Sequence, residues 1–207
     1  MATTTINYGF DIPQSTDLVK DGATAIATLG QDIDTAMNTA LGTKKAGMVL
    51  LNTTSFSGVT TQSINDVFSA TYKSYMIVVS NLSCASNVND LKLRLRVAGA
   101  DNSSSNYENG RLYVGAFATT NFATDNSVLS TSFQCLQMNN TIQQGVTIWI
   151  NNPFLTANTS AYSLGAGLLF DLNGGVTTVT TSYTGFTLIT ALGGNFAGTI
   201  TTYGLAE

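Results

Sequence analysis

From Val19 the apolar or small residues recur at alternating steps of three and four, at Val19, Gly22, Ile26, Leu29, Ile33, Ala36 and Ala40. That spacing predicts a helix with one seam. Placing Val19, Ile26, Ile33 and Ala40 at heptad position a leaves Gly22, Leu29 and Ala36 at d, while Lys20, Asp21, Thr24, Thr28, Gln31, Asp34, Thr35 and Asn38 face away. Ser15, Thr16 and Asp17 form a capping cluster before Leu18, and Asp17 and Asp21 suit the positive end of the helix dipole. Gly42, Lys44 and Lys45 follow the last periodic residue, which brackets about 25 residues, or roughly 37 Å of helix. A helix lying on a globular surface drifts toward a period of about 3.6 with a wider stripe. A 3.5 period therefore points to a coiled coil or socket helix that meets other chains, with a helix folded back on its own domain as the alternative. Gly22 and Ala36 at d permit close backbone approach.

From Ala46 the pattern changes to short β-branched and aromatic runs at period two, separated by Asn, Ser and Gly clusters. Candidate strands are Gly47 to Asn52, Tyr75 to Leu82, Leu91 to Val97, Leu112 to Phe117, Ser132 to Met138, Val146 to Asn151, Ala161 to Phe170, Val176 to Thr181, Phe186 to Ile189 and Thr199 to Tyr203. In LKLRLRV, Leu91, Leu93, Leu95 and Val97 take the core face and Lys92, Arg94 and Arg96 the other. Residues 100–106 read as a loop, Asn173-Gly174-Gly175 as a tight connection, and Asn152-Pro153 and Gly193-Gly194 as strand ends. No repeat of 20 to 50 residues is evident, which disfavours a propeller or solenoid. The expected fold is mainly β: an antiparallel, jelly-roll-like β-sandwich head at 46–207, preceded by an N-terminal docking segment and a single α-helix at 1–45.

Composition narrows the function. The chain has no histidine, which removes the commonest general base, the usual zinc ligand and any Ser-His or Cys-His nucleophile pair. Only 10% of residues are charged and the net charge is −4, which is not a nucleic-acid binder's balance. With 43% apolar residues, ten Phe and eight Tyr, the chain is expected to fold. No stretch approaches the roughly 20 apolar residues of a membrane helix, so no membrane insertion is expected. The start, MATTTINYGF, lacks the basic and apolar regions of a signal peptide, which implies synthesis and assembly in the cytoplasm. Cys84 and Cys135 read as buried small hydrophobes, with a disulfide as the alternative.

Chemistry-bearing groups are sparse. Asp32 and Asp34 lie on different helix faces, and Asp101 and Glu108 share a loop where a carboxylate pair could support glycan cleavage. Asp101, Asn102, Glu108 and Asn109 lack the alternation of a calcium loop and read as a solvated turn. Neither a catalytic residue nor a cofactor or metal site is assigned. Lys92, Arg94 and Arg96 form a basic stripe, either a solvated face paired with acids or an anion-recognising patch. The segment Asn102 to Tyr107 offers adaptable hydrogen bonds and an aromatic platform for a surface polymer. Trp149 is opposite in parity to Val146, Ile148 and Ile150, which suits a subunit interface better than a sugar-stacking site.

The opening TTTINYGFDIPQSTDLVKDGATAIATLGQDID resembles the N-terminal segment of many tailed-bacteriophage virion proteins, where an aromatic-rich stretch with Pro and Ser/Thr-Asp precedes a VKDGA…LG…ID helix. The segments INDVFSATYKSYMIVV, LRLRVAGADNSSSNY, the Asn-Pro-Phe at 152–154 and the closing GFTLITALGGNFAGTITTYGL resemble the head domain commonly fused to it in tail-fibre and appendage proteins. The resemblance implies a virion structural protein whose N-terminal segment docks and whose β head projects, commonly as a homotrimer. Its partners would be itself, other virion proteins and host cell-surface polymers. A capsid decoration protein is the second expectation and a glycan depolymerase the third.

Overall fold

The computed structural model describes residues 3–6, 8–12, 18–41, 47–86, 88–115, 122–167 and 169–206. The chain divides into two compact units, Met1–Ala46 and Gly47–Glu207. In the first, β1 (Thr3–Thr4) pairs antiparallel with β2 (Asp11–Ile12). Gly9 turns the hairpin at φ 69°, and Tyr8 stacks on Phe10 with ring centroids 5.6 Å apart. The periodic segment forms helix α1 (Val19–Leu41), with Asp21 in its first turn. The expected cap at Ser15, Thr16 and Asp17 and the terminal Gly42, Lys44 and Lys45 lie outside the described residues. No helix among the described residues is long and apolar enough to cross a membrane.

The second unit is an antiparallel β-sandwich. In chain order its strands are β3 (Met48–Val59), β4 (Thr61–Ile64), β5 (Ser74–Cys84), β6 (Val88–Val97), β7 (Ala100–Asp101), β8 (Tyr107–Gly115) and β9 (Phe122–Ser130). They continue as β10 (Phe133–Asn139), β11 (Gln144–Asn151), β12 (Ser160–Ala166), β13 (Leu169–Thr177), β14 (Gly185–Thr190) and β15 (Phe196–Leu205). The larger sheet runs β3-β15-β5-β11-β12-β13-β8-β9, and the smaller runs β10-β6-β14-β4 with β7 attached to β6. Period-two alternation on each strand sends one set of side chains between the sheets. From the larger sheet these are Tyr75, Ile77, Val79, Val146, Ile148, Ile150 and Ile200, and from the smaller Leu91, Leu93, Leu95, Phe133, Leu136, Phe186 and Leu188. Edge-to-face aromatic pairs fill the remaining volume, Phe68 on Tyr75 and Tyr107 on Phe133 among them.

Several sequence expectations change. Val97 is 39% exposed, because β6 ends there in the Ala98-Gly99 turn rather than continuing under the core. Arg94 is half-buried, its Nε donating to the Thr131 carbonyl at 3.2 Å. Asn173-Gly174-Gly175 lies inside β13. A Cβ on Gly175 would fall on the Glu108 carbonyl, so this glycine serves close strand approach and not a turn. The turn sits earlier, between Ala166 and Leu169, and splits the expected Ala161 to Phe170 strand into a hairpin. Strand β9 and the strand pairing of Thr61–Ile64 carry polar, weakly alternating sequences that gave no period-two signal. Cys84 and Cys135 are both buried free thiols.

Candidate functional site

The helix residues come first. On α1, Ile26 is 66% exposed and Ile33 40% exposed. Leu29, Ala36 and Gly22 are half-buried and Ala40 is exposed, while the side chain of Val19 lies outside the described set. Met37, four residues after Ile33, widens the apolar stripe and is 56% exposed. Strict heptad bookkeeping passes over it, because it stands next to a d position.

The basic stripe is brought together on the outer face of the smaller sheet, where Arg94 and Arg96 are committed to internal partners and Lys92 lines a cavity. The Arg96 guanidinium donates to Asp101, to the Gly99 carbonyl, to Ser63 Oγ at 3.0 Å, to Thr187 Oγ1 at 2.7 Å and, through Nε, to Asn65 Oδ1 at 2.9 Å. Thr187 also donates to Asp101 at 2.7 Å. Arg96 thus ties β4, β6, β7 and β14 into one sheet, and Asp101 is held as its counter-ion. Glu108 belongs to β8 and not to the Asp101 loop.

Segment 102–107 is likewise structural. Tyr107 is fully buried, its hydroxyl accepting from the Leu95 amide at 3.1 Å and donating to the Asn102 carbonyl at 2.9 Å. Burial raises its pKa well above the phenol's ordinary value, so it stays a neutral donor. Asn102 Nδ2 donates to Tyr183 Oη at 2.7 Å and to Asn106 Oδ1 at 3.2 Å. The expected aromatic platform therefore does not exist at Tyr107: its ring is a core side chain, because odd positions of β8 face inward.

A second internal network explains why one part of the larger sheet is polar inside. Strand β10 is an edge strand of the smaller sheet, with β6 on one side only. Its other side rests on inward side chains of β8, β12 and β13. Asp171 Oδ2 accepts from the Gln137 amide at 2.8 Å, Asn109 Oδ1 from the Gln134 amide at 3.1 Å, and the Cys135 carbonyl receives Ser163 Oγ at 2.7 Å and Asn173 Nδ2 at 3.0 Å. Arg111 Nε donates to Asp171 Oδ1 at 2.7 Å. These groups close the edge that a free strand would expose. Beside them lies a 150 Å³ cavity lined by Asp90, Lys92, Asn109, Arg111, Asp125 and Gln134 among others. Its two cations face two carboxylates, so it presents no net field for an anion. Among the described residues no group of three or more acidic, Cys or His side chains is placed to hold a metal.

The remaining surface is the outer face of the larger sheet. Trp149 stacks on its cross-strand neighbour Tyr162, centroids 6.0 Å apart and planes 9° from parallel. Register extends this row to Met76, Tyr203 and Leu50 on one side. The next row carries Val78, Leu164, Leu172 and Leu112. Tyr162, Leu164, Phe170 and Leu172 are 46%, 47%, 51% and 41% exposed. The sequence reading found Trp149 here and missed its neighbours. Their signal was alternation with small residues, Ala161, Ser163 and Gly165, which form the packed side.

No protein-family model matches the chain, and no curated protein matches it. Among solved structures the chain is similar to arcelin-5, a lectin-like defence protein from Phaseolus vulgaris, at 10% identity over 78% of this chain and 94% of that one, with a TM-score of 0.17. At that score the likeness is without weight.

Proposed function

We propose that this chain is a tailed-bacteriophage virion structural protein, a tail fibre or receptor-binding appendage that docks through its N-terminal unit and displays the sandwich as a head. The carrying observation is a short unit of its own whose helix leaves the stripe of Ile26, Ile33 and Met37 uncovered by that unit's own described residues. Such a stripe is stable only when covered, so the helix is a joining element. The resemblance of residues 3–34 to virion N-terminal segments supports the same reading. Among its described residues the head supplies no reaction centre to this reading. There is no histidine, and Asp101 and Asp171 are held by Arg96 and Arg111. The protein is therefore read as a non-enzymatic virion component, self-associating, with other virion proteins and host surface polymers as partners.

A capsid decoration protein is the second reading, favoured by the charge-poor outer face of the larger sheet, which suits a lattice. The two are separated by a map of the virion that locates the protein. Density at the tail is expected; density tiling the capsid would replace the appendage reading by decoration. Incubation with host envelope polymers, measuring retention and new reducing ends, tests the chemistry. Retention without cleavage is expected of an adhesin, and new reducing ends would overturn the non-enzymatic reading.

A further inference from the structure

The two sheets of the head differ in what they show to the outside. Outward positions on the smaller sheet include Asp90, Lys92, Arg94, Arg96 and Gln134. Outward positions on the larger sheet, from β3 across to β8, are apolar or Ser, Thr, Asn and Gly, with Glu108 as the one charge among the described residues. Strand spacing of about 4.8 Å and a rise of about 3.4 Å give seven strands a footprint on the order of 600 to 700 Å². That footprint, apolar in part, approaches the roughly 800 Å² per partner of a standard interface. Charge depletion around a central aromatic pair is the composition of an interface core.

We infer that this face is where copies of the head pack against one another. Three features commit the occupant to a second copy. Apart from Glu108, the described residues of the face lack the charges that would orient a differently charged partner. It carries both a projecting group and a receiving hollow: Phe170 stands 51% exposed beside a 380 Å³ depression over Gly145, lined by Val78, Thr147, Leu164 and Phe170 among others. A surface that offers both halves of such a contact can close on itself by rotation. The footprint comes close to the roughly 800 Å² per partner that a stable association of two equal partners needs.

The inference is independent of where in a particle the protein sits, and independent of assembly through α1. Trp149 is the one tryptophan of the chain and stands near the middle of the face, so it reports coverage directly. Three full-length chains are compared by light scattering and iodide quenching, with far-UV circular dichroism as the fold control: the wild type, the face variant L164E/L172K, and the helix variant I26D/I33D. Leu164 and Leu172 are cross-strand partners, so the introduced charges pair with each other in the isolated head and the fold is kept. The wild type is expected above the 21.7 kDa of one chain with Trp149 shielded. The face variant should be smaller, with quenching increased several-fold, and Phe170→Lys should act in the same direction. Shielding that persists in the helix variant would support head association while removing α1 from assembly. A face variant of unchanged mass and quenching overturns the inference, as does a wild type of single-chain mass with Trp149 freely quenched. Loss of both signals in the helix variant alone would overturn it and leave the helix seam standing.

Discussion

Replacing Asp171 tests whether the polar groups inside the larger sheet hold the smaller sheet's edge. Asp171 has no exposed surface, and its carboxylate accepts both Arg111 Nε at 2.7 Å and the Gln137 amide at 2.8 Å. In Asp171→Ala the Arg111 guanidinium, whose side chain is 9% exposed, loses its counter-charge. Removing one partner of a buried pair costs about 3 to 5 kcal/mol, and an unpaired buried amide about 1 to 3. Arg111 also lines the polar cavity, where water can solvate it in part, so the expected total is about 4 to 6 kcal/mol. That is a large share of the 5 to 15 kcal/mol that typically separates a folded domain from its unfolded chain. Asp171→Asn retains an acceptor and should cost less, about 1 to 3 kcal/mol. In the double variant D171A/R111M the stranded charge is gone, so its cost should fall at least about 1 kcal/mol below the sum of the singles. Urea denaturation of the four chains of this cycle at one protein concentration, followed by Trp149 fluorescence, measures these terms. Additivity within about 0.5 kcal/mol, or a cost below about 1 kcal/mol for Asp171→Ala, would refute the edge-closing role.

Four further outcomes follow from the same structure. Leu93→Ala, at a fully buried core position, should cost about 2 to 5 kcal/mol in denaturant melts and Arg94→Ala less than about 1; equal costs would mean that the facing of β6 is wrong. Ala98 holds a φ of 50° in the β6–β7 turn, so Ala98→Asn should stabilise by about 0.5 to 1 kcal/mol, and a loss of stability would contradict the left-handed turn. A Cβ at Gly185 would fall on the Ile64 carbonyl between paired strands, so Gly185→Ala should destabilise by about 1 to 3 kcal/mol or more, whereas a neutral result would show that β4 yields. Burial raises the Cys84, Cys135, Tyr75 and Tyr107 values in the folded state, so the full contribution is present below the ordinary 9.0 and 10.0 and is lost as pH rises past them. Stability should fall by up to about 1.4 kcal/mol per pH unit for each of the deeply buried Cys135 and Tyr107, with a smaller contribution from the more solvent-screened Cys84 and Tyr75 and a shallower fall in Cys135→Ala, and a profile flat from about pH 8 to 11 would refute it.

How much of this was legible in the sequence depends on whether a residue's role is local. The α1 helix was readable because its three-and-four periodicity is a property of the segment itself, and LKLRLRV because one face of β6 meets the core along nearly its whole length. The bounds failed where a long-range contact sets the conformation. Gly174 and Gly175 carry the composition of a turn, yet they lie in β13 because the Glu108 carbonyl approaches too closely for a side chain at Gly175. Tyr107 was misassigned for the same reason. Its hydroxyl is satisfied by Leu95 and Asn102, and no spacing within NSSSNY shows that the ring turns under the sheet.

The aromatic face was hidden by a reversal of the usual amphipathy. Where β10 settles on β8, β12 and β13, the inner positions must supply donors and acceptors to a bare strand edge, so Asn109, Ser163, Asp171 and Asn173 point inward. Gly165 is inward too, because its missing side chain makes room for Leu136. Alternation then forces the large apolar residues of the same strands outward, and Tyr162, Leu164, Phe170 and Leu172 follow. A monomer gains nothing from four large apolar groups in water on adjacent strands. Polar residues at those positions would leave the inner network intact, since alternate positions on a strand face opposite ways. The outer residues are therefore not a by-product of the inner ones, and the proposed packing of heads through this face would account for large apolar groups on both sides of these strands.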